Sequence, residues 1–147
     1  MPSIIKTIGT VTVRVYGPDG IVINQHRNQV VNTGQHWIAT RIVGGGKAVS
    51  HIEVGTGTSP VASTDTRLQS PLHRQALKAT PTVANNTITF TAHLAEGQAT
   101  GPITEYGLFD AATGGILVAR MVEAVVTKSA TMAMDIVWQM EFRHGSD

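Results

Sequence analysis

The sequence predicts a mainly β protein, either an antiparallel β-sandwich or a jelly-roll-like barrel, with one short α-helix at about residues 32–43. Several segments alternate apolar and polar residues, which is the period of a half-buried strand. Turn-forming residues separate these segments at short spacing, as in sandwiches and barrels. The 147 residues are enough for one domain with its own hydrophobic core, so we predict a single domain over residues 1–147.

The first part of the chain predicts a β-hairpin. Val11, Val13 and Val15 alternate with threonine and arginine, and residues 17–20 read Gly-Pro-Asp-Gly. Proline fixes one backbone angle of a turn and glycine permits positive φ, so this tetrapeptide favours a tight turn. A second strand is therefore expected over residues 21–31.

The next segment carries the one helical pattern. Asn32 or Thr33 is expected to cap the helix by accepting a backbone N–H bond, and Trp37 and Ile42 contribute to its apolar stripe. The three glycines at 44–46 are expected to end it, because glycine loses much backbone entropy in a helix.

The middle of the chain alternates between short strands and polar loops. Asparagine tolerates positive φ, so the Asn85-Asn86 pair predicts a tight turn. The other expected elements are a short strand over 51–54, a polar loop over 55–65, one helical turn over 64–68, a strand over 74–82 and a strand over 88–94.

The final third has the strongest strand signal. Residues 103–109 and 116–121 flank a turn-rich connection, and twelve residues from 131 to 142 alternate almost strictly. At roughly 3.3 Å per residue this last strand would extend for about 40 Å. Trp138 and Phe142 share its apolar face, which must contact a core or a partner, since an exposed apolar strand would aggregate.

Composition excludes several classes of function. Charged residues make up 14% of the chain, and 11 basic against 10 acidic side chains give a net charge of +1. A nucleic-acid or membrane-surface binder normally has clustered lysine and arginine, so we predict neither partner. Residues 1–10 show no signal-peptide pattern and no apolar run approaches the ~18 residues of a membrane span.

No set of residues predicts an active site, a metal site or a cofactor site. The six histidines lack the spacing of metal-binding motifs, and the glycine-rich stretches lack the ending of a phosphate loop. His51 and Glu53 would share one face of a strand, and Ser50, His51 and Asp65 form a triad by composition only. We therefore predict a non-enzymatic protein without cofactor or metal.

One carboxylate needs a partner. Glu105 lies in the predicted strand over 103–109, where a buried carboxylate must be paired or hydrogen-bonded. Arg74 and Arg120 are the two candidate partners. The expected role of such a pair is structural.

Several motifs in order resemble the amino-terminal module of phage tail-collar fibre proteins and small phage structural proteins. That module has an apolar-Ser/Thr-His-apolar strand ending in Gly-x-Gly, a later apolar-x-Arg, a Glu-x-Gly-apolar-aromatic strand, and a final Gly-Gly-apolar strand with Ala-Arg. The matching segments here are residues 50–60, 64–68, 72–74, 103–110 and 114–120.

The resemblance implies a virion structural protein that is made in a bacterial cytoplasm and acts through protein–protein contacts. A tail or baseplate subunit that attaches fibres is the first expectation, although no shaft or receptor-binding tip follows the module. A capsid decoration (cement) protein that stabilises the head is the alternative, with residues 1–10 as an extended N-terminal arm. The expected partners are other copies, as a trimer by family resemblance, and a baseplate, fibre or major capsid protein.

Two further hypotheses stay open at this point. The surroundings of His51, Glu53 and Asp65 suggest a small surface hydrolase or a carbohydrate-binding module, and residue spacing does not exclude a β-domain with an unrelated partner. The residues predicted to define the fold or an interface are His51, Gly55, Gly57, Arg74, Glu105, Gly107, Phe109, Arg120 and Trp138.

Overall fold

A computed structural model describes residues 5–18 and 20–145. These residues form nine β-strands and one α-helix. In chain order the elements are β1 (Ile5–Gly17), β2 (Gly20–Val30), α1 (Asn32–Ile42), β3 (His51–Gly55), β4 (Pro71–Ala76), β5 (Thr82–Ala84), β6 (Thr87–Leu94), β7 (Gly101–Phe109), β8 (Leu117–Lys128) and β9 (Ala133–His144). No helix in this part of the chain has the length and hydropathy to cross a membrane.

The strands form one antiparallel sheet that curls into a half-barrel, which confirms the mainly β, barrel-like prediction. Their order is β4-β3-β7-β8-β2-β1-β9-β6-β5. The two halves of the sheet are joined by a short ladder in which Gln29 and Val30 of β2 pair with Arg120 and Ala119 of β8. Beyond β4 the chain meets the other half again, because the Lys78 backbone N–H donates to the Thr91 carbonyl at 2.8 Å.

The core is built from rows of side chains that cross β1, β9 and β6. In one row Val11 lies beside Trp138, which lies beside Phe90; two further rows repeat this pattern towards the turn. Trp138 is completely buried and Phe90 is 3% exposed. Burying a large apolar side chain contributes about 1.5–3 kcal/mol each, so these rows explain why the alternation in β9 is nearly strict.

The helix packs against β8 at a very short distance. A Cβ atom on Gly34 would lie 1.9 Å from the Val118 carbonyl oxygen, so only glycine allows this approach. Trp37 turns its ring towards the core and its Nε1 donates to the Lys47 carbonyl at 2.8 Å. After Ile42 the chain leaves the helix through Gly44, whose φ is +84°.

The expected helix cap is wrong. Val31 occupies the N-cap position, and no side chain caps the helix. The Asn32 backbone N–H donates instead to the Ser63 carbonyl at 2.8 Å, and the Thr33 hydroxyl donates to the Leu117 carbonyl at 2.6 Å. The Ser63 carbonyl thus satisfies one of the N–H groups at the helix start that have no partner within the helix, and the Thr33 side chain bonds to the start of β8.

Two expectations about the middle of the chain are also wrong. Residues 64–68 form no helical turn, because Leu68 is drawn into a buried apolar cluster. The strand expected over 74–82 is instead β4, which ends at Ala76, and the short β5. The chain leaves β4 where the Leu77 backbone N–H donates to the Ser50 carbonyl. The Asn85-Asn86 turn is confirmed, with φ of +53° at Asn85.

The predicted arm over residues 1–10 is only partly described. Residues 1–4 lie outside the described residues. Ile5–Thr10 belong to β1, and they pair with β9 from His144 to Gln139. This part of the chain is therefore sheet, and not a segment extended away from the domain.

Truncation of the central core residue tests this account of packing. We expect Trp138→Ala to lower the free energy of unfolding by about 3–5 kcal/mol, because a fully buried indole leaves a cavity that the neighbouring rows cannot fill. Val83→Ala in β5, where the side chain is 70% exposed, should change it by less than about 0.5 kcal/mol. Urea unfolding of both variants provides the measurement. Equal losses of unfolding free energy would contradict the placement of Trp138 at the centre of the core.

Candidate functional site

The candidate residues gather on the outer face of β7. Tyr106 and Leu108 point into the core, whereas Glu105, Gly107 and Phe109 lie on the opposite face. That face is nevertheless buried: Glu105 is 0% and Phe109 is 1% exposed. The cover is the segment between β3 and β4, residues 56–70, which we call the 56–70 loop.

The Glu105 carboxylate holds this loop to the sheet. Its Oε2 accepts backbone N–H bonds from Gly57 and Ser70, both at 2.7 Å, and its Oε1 accepts one from Gln69 at 2.9 Å. Oε1 also accepts from Arg120, at 3.2 Å from Nε and 3.0 Å from Nη2. A buried carboxylate is stable only when its lone pairs are satisfied in this way.

Arg120 extends the same network into the loop. It is 2% exposed, and its Nη1 forms an ion pair with Asp65 Oδ2 at 3.0 Å. The same Asp65 oxygen accepts the backbone N–H of Ala62 at 2.9 Å. Of the two partners proposed for Glu105, Arg120 is therefore the one that pairs with it. One arginine links a strand carboxylate to a loop carboxylate.

Two glycines make room for the carboxylate. A Cβ atom on Gly57 would lie 2.3 Å from Glu105 Oε2, and one on Gly55 would lie 2.7 Å from it. A third, Gly107, faces Leu68, where a Cβ atom would lie 2.8 Å from Cδ2. These positions need glycine for space and not for an unusual backbone angle.

Arg74 supports the neighbouring connection between β7 and β8. Its Nε pairs with Glu53 Oε2 at 2.9 Å, and its Nη1 donates to the carbonyls of Ala111 and Gly114. The guanidinium lies over the Phe109 ring, 3.7 Å from its centroid. Arg74 thus holds residues 110–116 in place, as Arg120 holds the 56–70 loop.

A small apolar cluster completes the outer face. Val31, Leu68, Phe109 and Leu117 are all buried here, and Val61 packs against them. The 56–70 loop therefore contributes apolar contacts as well as hydrogen bonds, and its Ser63 carbonyl reaches the start of α1. Loop, helix and outer sheet face form one packed layer.

His51 lies at the margin of this layer. Its Nδ1 is 2.7 Å from the Ser50 hydroxyl, and burial together with the positive charge of Arg74 lowers its pKa. The carboxylates of the hypothetical hydrolase are engaged elsewhere: Glu53 pairs with Arg74, and Asp65 with Arg120. The triad of Ser50, His51 and Asp65 is therefore not assembled through hydrogen bonds in the described residues.

The charged network lies apart from the cavities of the described residues. Four cavities in the described part of the chain, from about 260 to 820 Å³, have none of these charged network residues in their walls. The described residues also contain no cluster of three or more histidine or acidic side chains arranged to hold a metal ion. The network binds the chain's own backbone, and its polar atoms do not converge on an open cavity.

Seven of the nine predicted residues meet in this layer. They are Gly55, Gly57, Arg74, Glu105, Gly107, Phe109 and Arg120. His51 is at its margin, and Trp138 lies in the core between β1 and β6. Sequence reasoning missed Gln69, whose Oε1 accepts the backbone N–H groups of Thr58 and Ser59, and Asp110, whose Oδ1 accepts that of Ile116. No spacing in the sequence signals these loop contacts.

Comparison of the chain with protein-family models, with curated proteins and with solved structures found no match.

Neutralising the central carboxylate tests the network. We expect Glu105→Gln to lower the free energy of unfolding by about 3–5 kcal/mol, because it leaves Arg120 buried without a full counter-charge and turns an amide towards backbone N–H donors. The matched control is Glu141→Gln, which breaks an exposed pair with Arg143. Urea unfolding should show a large loss for the first variant only, and limited proteolysis should then cut within residues 56–70. Equal midpoints for both variants would show that the pair is dispensable.

The lowered pKa of His51 predicts a pH dependence of stability. The unfolded histidine takes up a proton near its ordinary pKa of 6.5, whereas the folded one does so only at lower pH. The folded state is therefore favoured above that pH and loses stability as the pH falls below it. We expect His51→Asn to flatten this part of the profile, with His144→Asn at the exposed end of β9 as the control. Denaturation midpoints measured from pH 8 down to about pH 5 provide the test, and parallel profiles for His51→Asn and the unmodified protein would refute it.

Proposed function

We propose that the chain is a non-enzymatic structural subunit of a tailed-phage particle, in the tail or baseplate, where it attaches fibres through protein–protein contacts. The observation that carries this proposal is that several of its charged side chains are buried and bond to the protein's own loops. Glu53, Glu105, Asp110, Arg120 and Lys128 are buried inside a protein in which only 14% of residues are charged. These ions hold loops on the scaffold.

The exposed surface complements this internal use of charge. Ile21, Val22, Ile23 and Val125 are each 56–62% exposed, and Ile42 at the end of α1 is 78% exposed. Apolar side chains on a rigid, weakly charged surface favour lasting contacts with other proteins, because few ions must be dehydrated when that surface is covered. These features support an assembly role.

The phage assignment is supported by the motif resemblance. The residues that carry it include Gly55, Gly57, Glu105, Gly107 and Arg120, which depend on one another in the outer layer. A set of residues that must occur together to hold one loop is a stronger sign of shared architecture than separate short motifs. We extend this proposal to assembly with further copies, as a trimer.

The pairing of Ile5–Thr10 with β9 favours the tail over the capsid. The decoration hypothesis relied on an extended arm at residues 1–10, and most of that segment belongs to the sheet. Capsid decoration is the second hypothesis that the same motifs support. It differs from the tail hypothesis in the copy number that it predicts per particle.

Counting copies in purified particles tests this proposal. We expect the chain to co-sediment with particles from cells that carry its gene, and to stay with tails once heads and tails are separated. Quantitative mass spectrometry should give a small multiple of three or six copies per particle, as closed tail symmetry requires. Retention on heads at the copy number of the major capsid protein would establish decoration instead. Absence from the particles would refute both.

A further inference from the structure

A groove lies between α1 and the neighbouring ends of β1, β2, β6 and β9. One cavity of about 350 Å³ opens between the helix and β6, with Trp37 and Phe90 in its wall. A second, of about 820 Å³, opens between the helix and the ends of β1 and β2. The two cavities share Ile38, Ile42 and Phe142, so they are parts of one groove. We call it the α1 groove.

The wall of the smaller cavity is apolar apart from one cation. Arg41 is the only charged residue among the ten that line it. Residues four apart share a helix face, so Ile38 lies beside Ile42, and Trp37 lies beside Arg41. Concave apolar surface with one placed charge is typical of a site that binds an apolar group next to an ion of opposite charge.

The apolar surface continues beyond the two cavities. Ile42 is 78% and Val43 is 83% exposed at the end of the helix, and Ile5 at the start of β1 is 76% exposed. A small molecule that fills the smaller cavity would leave these side chains in water. A polypeptide that lies along the groove covers them, and the burial of this apolar area favours the contact. The extent of the surface therefore favours a polypeptide as the occupant.

The charged side chains of the groove are both cations. Arg41 is the only charged residue in the wall of the smaller cavity, and Lys6 is the only one in the wall of the larger. Arg41 Nη1 donates to the Gly45 and Gly46 carbonyls at 3.4 and 3.3 Å. Neither cation forms an ion pair with a carboxylate in the described part of the chain. This charge is complementary to an aspartate or glutamate, which an arginine binds through charge-assisted hydrogen bonds.

We propose that the α1 groove receives a segment of a different protein chain, in which a large apolar side chain is next to an aspartate or glutamate. The apolar side chain fills the smaller cavity against Trp37 and Phe90, and the carboxylate accepts hydrogen bonds from Arg41. The rest of the segment covers Ile42 and Val43. This inference rests on the proposed function and names the chemistry of the partner that the subunit holds.

The acidic side chains of this chain argue against a second copy as the source of the carboxylate. Five of those in the described residues are paired with a basic side chain of the same chain: Glu53, Asp65, Glu105, Asp135 and Glu141. Asp110 is buried and accepts the Ile116 N–H. Glu123 lies beside His26, and Glu96 interacts with the charge of Lys128. A second copy thus offers few carboxylates that are not already engaged, so we expect the acid to come from another sequence.

Selection from a library of short random peptides on the purified full chain tests the proposal. We expect the enriched peptides to carry a large apolar residue beside aspartate or glutamate. One of them, synthesised with capped ends, is the probe, and matched peptides replace its acidic residue by the corresponding amide or by lysine. The acidic probe should bind about tenfold more tightly than the amide peptide, because it forms a charge-assisted hydrogen bond. Binding should shift the NMR signals of the Trp37 indole and of the Ile38 and Ile42 methyl groups.

Variants at exposed positions identify the groups that bind the probe. Arg41→Glu should lower the affinity for the acidic probe by about tenfold and should bind the lysine peptide in its place. Ile42→Ser, which removes apolar contact area, should lower the affinity by about fivefold. The matched controls are Arg27→Glu and Val83→Ser, which alter exposed residues outside both cavities and should leave the affinities unchanged. Circular dichroism of each variant verifies that the fold is retained.

Several outcomes would overturn the inference. Enrichment of basic peptides, or of no peptide that distinguishes the protein from Arg41→Glu, would exclude the acidic partner. Shifts confined to residues away from α1 would place the segment elsewhere. Self-association of the full chain that Ile42→Ser abolishes would make a second copy the occupant. The particle count reports on the virion role and the peptide assay on the groove, so a failure of either is distinguishable from a failure of the other.

Discussion

The outer layer of this protein depends on the buried pair of Glu105 and Arg120. Removing both ions from water is costly, and their attraction offsets the cost only if the remaining hydrogen-bonding groups are also satisfied. Three backbone N–H groups of the 56–70 loop and the Asp65 carboxylate provide this satisfaction. The loop is therefore ordered by the same contacts that make the buried charges tolerable. Because its Ser63 carbonyl accepts the first N–H of α1, the helix also depends on the pair.

Strand β7 separates two kinds of packing. Its inner face contributes Tyr106 and Leu108 to the large core, and its outer face contributes Glu105 and Phe109 to a smaller layer. A strand buried on both faces is normally apolar throughout. Here one carboxylate replaces an apolar residue, and Gly107 beside it lets Leu68 of the loop approach. Glu105, Gly107 and Phe109 alternate along one face of β7 because the 56–70 loop packs across that face.

Sequence patterns predicted the elements whose stability is local or periodic. The alternation of β9 follows from one buried face, and the turn at Asn85 from tolerance of positive φ. The need of Glu105 for an arginine was also predictable, but the choice between Arg74 and Arg120 was not. That choice follows from register, since Gly107 pairs with both Glu53 and Arg120, and register depends on contacts far apart in sequence. The helical turn over 64–68 and the side-chain cap of α1 both failed because of contacts with distant segments. Leu68 packs in the outer apolar cluster, and the Ser63 carbonyl accepts the Asn32 N–H at the start of the helix.

The 56–70 loop and strand β2 differ in how their backbone groups are satisfied. On the outer face, backbone N–H groups of the 56–70 loop are paired with Glu105, whereas β2 forms a ladder with β8 at Gln29 and Val30 but not at residues 21–28. Proteins usually protect a free edge with charged side chains, proline or an overlying segment. Among the edge residues 21, 23, 25 and 27, only Arg27 is charged, and the two isoleucines are more than half exposed. Strand β8 bulges between Val122 and Val126, and Glu123 in this bulge lies beside Tyr106 and His26. Exposed apolar side chains along a strand that lacks a full ladder on one side are consistent with the assembly role that we propose.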